Sequence, residues 1–357
     1  MAEFYKLKVK DIYKETKDTS VVSFEIPEDL KSDFKFSQGQ HLTLKTIING
    51  EDVRRSYSLC SSPFENEWKV AVKEIPGGKF STFVNNELQT GDELEVMAPS
   101  GTFGVECDSK NAKNYLFFAA GSGITPIMSM IKAHLEAEPN STCKLFYVNK
   151  TAKSIIFKEA LEQLRNTYFG RLEIYYFLTK EKRDIDLFNG RFDDDKMNVL
   201  TKTFIDIPDT SEVFLCGPED MVNYVSSYLA EAGLPKELIH FELFVKGLTE
   251  EDKKRVERLS EQKIDGVEVV IIDGGKEFRF TMQQDDDNIL DGALTAGADL
   301  PFACKGGVCS TCKCQVVEGE VEMKINYALE DDEVAQHYVL SCQSVPTTKK
   351  VVVDFDV

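Results

Sequence analysis

Cys304-Lys305-Gly306-Gly307-Val308-Cys309-Ser310-Thr311-Cys312, followed after twenty-nine intervening residues by Cys342, is the stretch around which this 357-residue chain organises. The order C-x4-C-x2-C and then a distant C is the spacing that holds a plant-type [2Fe–2S] cluster. Three thiolates crowd one short loop, where Gly306 and Gly307 let the backbone curl and turn amide N–H groups toward sulfur. Cys342 closes the cage from another segment. Four-cysteine zinc sets also begin with a C-x2-C step, but zinc ribbons use two paired knuckles, and here the fourth cysteine is single. Cys314 lies two positions past Cys312 on the same side of a strand, and the loop spacing favours Cys312 as the ligand.

Outward from the cluster, composition sets bounds. At this length two or three domains are expected. A hydrophobic content of 42% with 29% charged residues fits a globular chain rather than a disordered one. The formal charge of −19 argues against a nucleic-acid or anionic-membrane partner, because phosphate attraction needs a basic surface. From Ile264 onward eighteen acidic side chains face seven basic ones, so partners of that segment are expected to present basic patches. The amino-terminal residues carry no apolar core with a cleavage site, and the longest apolar stretch, Tyr115 to Ile131, is broken by Gly121, Gly123 and Pro126. A cytoplasmic protein is expected, with its five remaining cysteines reduced.

The first hundred residues alternate apolar and polar positions in short runs, such as Thr19 to Ile26 and Trp68 to Lys73, separated by Asn49-Gly50 and Gly77-Gly78. That pattern predicts a small antiparallel β-barrel. After Phe103-Gly104 strands and helices alternate: strand Tyr115–Ala120, a helix to about Glu138, strand Cys143–Asn149, helix Ile155–Arg165, strands Leu172–Leu178 and Glu212–Leu215, helix Met221–Ala232. A parallel sheet with helices on both faces follows. Val245 to Lys263 is charged and poor in core residues and reads as a linker. Beyond it come a hairpin over Val267–Thr281 and a helix over Asn288–Ala298 that leads into the cluster loop.

Further motifs precede the cysteines. Arg54-Arg55-Ser56-Tyr57-Ser58 and Gly77-Gly78-Lys79-Phe80-Ser81-Thr82 lie in the barrel; Gly121-Ser122-Gly123-Ile124-Thr125 follows an apolar strand and opens a helix, the setting in which a glycine turn cradles phosphate. No G-K-[ST] follows, so it is not a Walker loop. Cys216-Gly217-Pro218 ends a strand. Alone, each has a bland alternative: surface arginine, plain βα turn, core cysteine. Cys60, Cys107 and Cys143 have no evident acid or base companions, and His41, His134, His240 and His337 match no ligand pair.

These residues carry a resemblance. Arg55-x-Tyr57-Ser58 and the Gly77 to Thr82 turn resemble the R-x-Y-S and G-G-x-x-S motifs of the ferredoxin–NADP reductase superfamily. The resemblance implies Arg55 on the flavin pyrophosphate, Tyr57 against the isoalloxazine and Ser58 near its N5. It also implies Val72 and Lys73 along the ring, and Gly78, Ser81 and Thr82 around phosphate. It further implies Gly121, Gly123 and Thr125 at the dinucleotide, and Cys216, Gly217 and Pro218 beside the nicotinamide, with Ser58 and Cys216 closest to the chemistry. Glu242 matches an acidic residue at the end of such modules, or is a surface glutamate. Lys150, Lys180 and Arg191 are placed for a 2′-phosphate, which favours NADPH over NADH; each is also an ordinary surface cation.

The segments Val321 to Val334 and Tyr338 to Ser344 extend the resemblance to the reductase subunits of phenylacetyl-CoA epoxidases, over nearly the whole chain. The implied order is residues 1–107 as an FAD-binding antiparallel β-barrel, 108–245 as an α/β Rossmann-like NAD(P)-binding domain, 246–263 as linker, and 264–357 as an α+β β-grasp [2Fe–2S] ferredoxin domain. The implied activity is electron transfer from NADPH (or NADH) through FAD and the cluster to a separate oxygenase, a diiron component in that family. Phthalate-dioxygenase-type reductases share the order but use FMN and NADH. A redox sensor that keeps the cofactors without turnover is the alternative from another class.

Overall fold

The computed structural model describes residues 4–244 and 248–356. The outermost residues of the expected first and last domains, and residues 245–247 at the expected boundary with the linker, lie outside the described set. The chain divides into two compact units. The larger spans Tyr5–Val53 and Tyr57–Phe244; the smaller contains the described residues from 248 onward with Phe4 and Arg54–Ser56.

Six strands and one helix build the first part of the larger unit: β1 (Phe4–Thr16), β2 (Thr19–Glu25), β3 (His41–Ile48), β4 (Glu51–Ser58), β5 (Trp68–Lys73), α1 (Lys79–Asn86) and β6 (Glu93–Met97). They pair in the order β4-β3-β6-β1-β2-β5. A bridge between Leu59 and Val70 brings the continuation of β4 to β5, closing the sheet on itself. The alternation seen in the sequence is the reason: Val22, Phe24, Leu42, Leu44, Val70 and Val72 point into one apolar core, capped by Phe80 and Val84 of α1.

The second part contains β7 (Asn114–Ala120), α2 (Ile124–Ala137), β8 (Thr142–Asn149), α3 (Lys158–Thr167), β9 (Leu172–Leu178), α4 (Asp194–Thr203), β10 (Glu212–Cys216), α5 (Glu219–Glu231) and β11 (Ile239–Glu242). The strands form one parallel sheet in the order β11-β10-β7-β8-β9. Strand period sorts its side chains. Tyr115, Phe117 and Ala119 pack with α2 and α3 on one face, and Leu116 and Phe118 pack with α4 and α5 on the other. The helix expected from Ile155 begins three residues later, because Phe157 takes a left-handed conformation at φ 61° and serves as its N-cap.

The smaller unit holds α6 (Glu250–Glu261), β12 (Val267–Asp273), β13 (Lys276–Met282), α7 (Ile289–Thr295), β14 (Lys313–Glu318), β15 (Val321–Met323), α8 (Asp331–Ala335), β16 (Tyr338–Leu340), β17 (Ser344–Pro346) and β18 (Lys350–Asp354). A mixed sheet runs β13-β12-β18-β14-β16, with β12 and β18 parallel, and α7 buries Ile289, Leu290 and Ala293 against it. The segment read as a linker therefore contains a helix. Thr249 and Asp252 form a reciprocal capping box at its start, Leu259 is buried, and Arg258 grips Glu322 with both terminal nitrogens. The charges that made this run look like a solvated tether are the exposed face of α6. Among the described residues no helix is long and apolar enough to cross a membrane.

Candidate electron-transfer site

In the larger unit the glycine turns are set by close approach. A Cβ on Gly123 would fall 2.0 Å from the Cys216 carbonyl oxygen, so only glycine lets the β7–α2 turn lie against the end of β10. Parallel pairing of Cys216 with Ala119 fixes the register that brings them together. Thr125 donates its hydroxyl to the Ser122 carbonyl at 3.0 Å, closing the turn, and no side chain caps the start of α2. Ile124 N–H donates to the Gly121 and Ser122 carbonyls and Pro126 carries no N–H, so an anion here would meet the remaining amides of the turn. Gly217 and Pro218 continue from Cys216 into α5, whose start is likewise uncapped by a side chain.

Ser58, Cys216 and Glu242 meet beside this turn. Ser58 donates to Glu242 Oε2 at 3.3 Å, and Glu242 is the register partner of Cys216 on the adjacent strand. Burial raises the Glu242 carboxyl to about 7, and the Ser58 hydrogen bond only partly opposes that rise. Burial, then the nearby Glu242 charge, also pushes the Cys216 thiol up, so it is a neutral group at physiological pH. The structure brings Ser58 and Cys216 to one carboxyl group. Glu242, read from the sequence as either functional or surface, is the acid that joins them.

Around the barrel, Arg55 and Tyr57 alternate onto one face of β4. The Tyr57 ring lies 5.8 Å from that of Phe80, and Arg55 Nη1 donates to the Arg54 carbonyl. Val72 is buried in the barrel core, and β5 is an end strand in the pairing order. The Lys73 ammonium lies 3.9 Å from where a Cβ on Gly121 would stand, so this side chain reaches from the barrel to the glycine turn.

Gly78 caps α1 without a side-chain bond, and a Cβ there would fall 2.6 Å from Ser81 Oγ. Ser81 is engaged within the turn. Its hydroxyl accepts from Ile75 N–H at 3.1 Å and points at the Gly78 carbonyl at 3.3 Å, so it closes the turn instead of facing outward. Thr82 N–H donates to the Gly78 carbonyl. Gly78 N–H in turn donates to the Ile75 carbonyl at 2.8 Å, so Gly78, Ser81 and Thr82 together hold the start of α1.

Lys150 and Lys180 are neighbours at the carboxyl ends of β8 and β9, where Lys180 N–H donates to the Lys150 carbonyl at 2.8 Å. Gly190 N–H donates to the Leu178 carbonyl, delivering Arg191 to the same edge. All three side chains are exposed, and among the described residues none forms an ion pair or side-chain hydrogen bond.

In the smaller unit the four expected ligands converge. Cys304 and Cys309 place their sulfurs 3.1 Å apart, and Cys312 and Cys342 form a second pair, in which Cys312 is pushed up and Cys342 drawn down by the other thiol. The second pair is held by Ser341 N–H donating to the Cys312 carbonyl at 3.0 Å. The Cys309 contact first, then N–H groups of Gly306, Val308 and Cys309, favour the thiolate of Cys304. The Gly306 amide stands 3.3 Å from that sulfur. Gln343 ties the two segments by donating to the Lys305 carbonyl at 2.9 Å and toward Cys342 Sγ at 3.5 Å. Two sulfur pairs ringed by amide donors suit two irons with two thiolates each. The buried hydroxyl of Ser341, next to Cys342 in the chain, has no partner among the described residues and is a spare donor. Cys314 packs in the core from β14.

The sequence reading missed one cluster. Cys107, His134 and Glu138 have their ligand atoms within 4.8 Å of one another. Only the His134 to Glu138 spacing, one helical turn, was visible in the chain.

Comparison with known proteins agrees with this arrangement. The oxidoreductase FAD-binding domain family matches residues 6–104. The oxidoreductase NAD-binding domain matches 117–227, and the 2Fe-2S iron–sulfur cluster binding domain matches 271–347. The chain is 42% identical over 356 residues to a 1,2-phenylacetyl-CoA epoxidase subunit of Escherichia coli (strain K12), covering 100% of this chain and 99% of that one. It is 31% identical to the ferredoxin reductase component of 3-ketosteroid-9-alpha-monooxygenase from Rhodococcus rhodochrous, over 98% and 96% of the two chains. Its fold is that of phthalate dioxygenase reductase, with a TM-score of 0.60 at 23% identity over 99% and 98% of the chains. Taken together, the motifs, their order and the full-length identity place the chain in the family of phenylacetyl-CoA epoxidase reductase subunits, ferredoxin–NADP reductase modules with a carboxyl-terminal plant-type [2Fe–2S] domain.

Proposed function

We propose that this protein is an NAD(P)H-dependent reductase that delivers electrons through FAD and a [2Fe–2S] cluster to a separate oxygenase, of the phenylacetyl-CoA epoxidase type. The observation that carries the reading is the convergence of Cys304, Cys309, Cys312 and Cys342 in a chain that also assembles Ser58, Cys216 and Glu242 beside a glycine turn. The modules are assigned as 1–107, 108–245 and 264–357, and the protein is assigned to the cytoplasm, where the five cysteines outside the cluster set stay reduced.

When bound, the flavin supplies the change from two-electron to one-electron chemistry and the cluster supplies one-electron transfer. The chain's own residues do the rest. The amides of the Gly121 to Thr125 turn and the start of α2 hold the dinucleotide phosphates, and Lys73 adds a cation on the barrel side. Lys150, Lys180 and Arg191 receive the 2′-phosphate, which makes NADPH the donor. Arg55 pairs the flavin pyrophosphate through its planar fork, and Tyr57 gives the ring an aromatic wall. Neutral Cys216 lines the hydride path without placing a charge there. Glu242 holds a proton near neutral pH and accepts a hydrogen bond from the Ser58 hydroxyl, which fixes that side chain beside Cys216.

The test is steady-state reduction of ferricyanide and cytochrome c by the purified holoprotein. Reduction of both with NADPH, and with a larger KM for NADH, is expected. Failure to reduce either would leave a cofactor-bearing sensor as the better reading.

A further inference from the structure

We infer that Cys107, His134 and Glu138 form a second metal site, for one borderline divalent ion of the zinc class, separate from the four cluster cysteines. The cluster lies where the segment leaving the barrel crosses the end of α2. His134 and Glu138 stand one helical turn apart, both with fully buried side chains, and Cys107 arrives from the crossing segment. Cys107 Sγ is 3.4 Å from His134 Nδ1, and that nitrogen is 3.2 Å from Glu138 Oε1. A tetrahedral ion with metal–sulfur bonds of about 2.3 Å and metal–nitrogen or metal–oxygen bonds of about 2.0 Å needs edges of about 3.5 Å and about 3.3 Å. The two measured edges match.

The proton count in the metal-free cluster is awkward, and a dication resolves it. Both Cys107 Sγ and Glu138 Oε1 address the same Nδ1, which carries at most one proton. The opposite nitrogen, Nε2, is buried with no partner among the described residues, so the change of tautomer gives up one bond, from Nδ1 to Glu138 Oε1, which the ion replaces. On binding, the thiol proton leaves to solvent, the ring proton moves from Nδ1 to Nε2, and three bonds form, from sulfur, nitrogen and the Glu138 carboxylate, as the ion gives up its waters at those positions. The thiolate and the carboxylate neutralise the dication.

The surroundings are those of an oriented ligand set. Glu138 is held by Asn111 Nδ2 at 3.0 Å, Tyr115 Oη at 2.9 Å and Ser141 Oγ at 2.7 Å. Gln38 Nε2 donates toward Cys107 Sγ at 3.3 Å, and the Tyr115 ring stacks on His134 at 4.2 Å. Cys107 is partly exposed, which gives the ion an entry path and leaves the fourth position to water. A thiolate, an imidazole and a carboxylate together select zinc over magnesium or calcium.

The experiment uses holoprotein with flavin and two irons in place, so that the cluster thiolates are occupied. After incubation with zinc and gel filtration, elemental analysis is expected to find about one zinc per chain. Cys107→Ser and His134→Gln are expected to lose it while keeping flavin and iron. In the unaltered protein, zinc should slow iodoacetamide labelling of Cys107, mapped by peptide mass spectrometry, by about tenfold or more. Three results would each overturn the inference: zinc at background in the unaltered protein, zinc retained by both variants, or a labelling rate that ignores zinc. The labelling readout stands even if a variant does not fold.

Discussion

Replacing Glu242 by Gln should remove a pH-dependent cost that the unaltered protein carries. The carboxyl titrates near 4.5 in an open chain and at about 7 in the fold, raised by burial and only partly offset by Ser58. Between those two values the unfolded state has lost the proton while the native state keeps it. Stability therefore falls as pH rises from about 4.5 and levels off above about 7. A separation of this size corresponds to about 3 kcal/mol, fully expressed only on the alkaline side. Glutamine keeps the shape and a bond to Ser58 Oγ but never ionises. The difference in unfolding free energy between Glu242→Gln and the unaltered holoprotein should be near zero or slightly unfavourable at pH 5. By pH 8 it should favour the variant by up to about 3 kcal/mol. Urea titrations at a series of pH values, read by release of flavin fluorescence, measure it. A difference that stays constant from pH 5 to pH 8 would show that Glu242 is not the raised acid beside Ser58.

Cys309→Ala should abolish the cluster's absorbance and bound iron yet leave flavin bleaching by NADPH intact, because the cluster cysteines lie in the smaller unit while Tyr57, Ser58 and the Gly78 and Gly121 to Thr125 turns lie in the larger. Gly123→Ala drives a methyl into the Cys216 carbonyl, which lies 2.0 Å from the new Cβ. The strain is of order 1–3 kcal/mol, and calorimetry should show weakened nucleotide binding with flavin content retained. Converting Lys150, Lys180 and Arg191 together to Ala should raise KM for NADPH at least tenfold with little change for NADH. An equal rise for both nucleotides would place the 2′-phosphate elsewhere.

What the sequence made legible was local or periodic. The cysteine spacing is enforced by the reach of a single loop, and the βα alternation comes from strands such as Leu172–Leu178, which formed over the residues that periodicity indicated. What escaped it depends on tertiary proximity. Cys107 and His134 are twenty-seven residues apart, and only the crossing of two segments brings them together. Ser81 has the type and place of a phosphate ligand, but its hydroxyl is drawn inward to satisfy Ile75 N–H in a turn too tight to leave that group unpaired. The α6 helix was hidden by composition: with Leu259 as its main buried apolar anchor, its charged surface resembles a solvated tether until the Thr249–Asp252 cap and the Arg258–Glu322 pair are seen.

An anaerobic titration of the purified protein with NADPH, followed by flavin and cluster absorbance, tests the relay most directly. A flavin that takes two electrons and a cluster that takes one require about 1.5 equivalents of NADPH per chain, with a reduced-cluster paramagnetic signal at the end. An endpoint at one equivalent, with the iron still oxidised, would contradict the account.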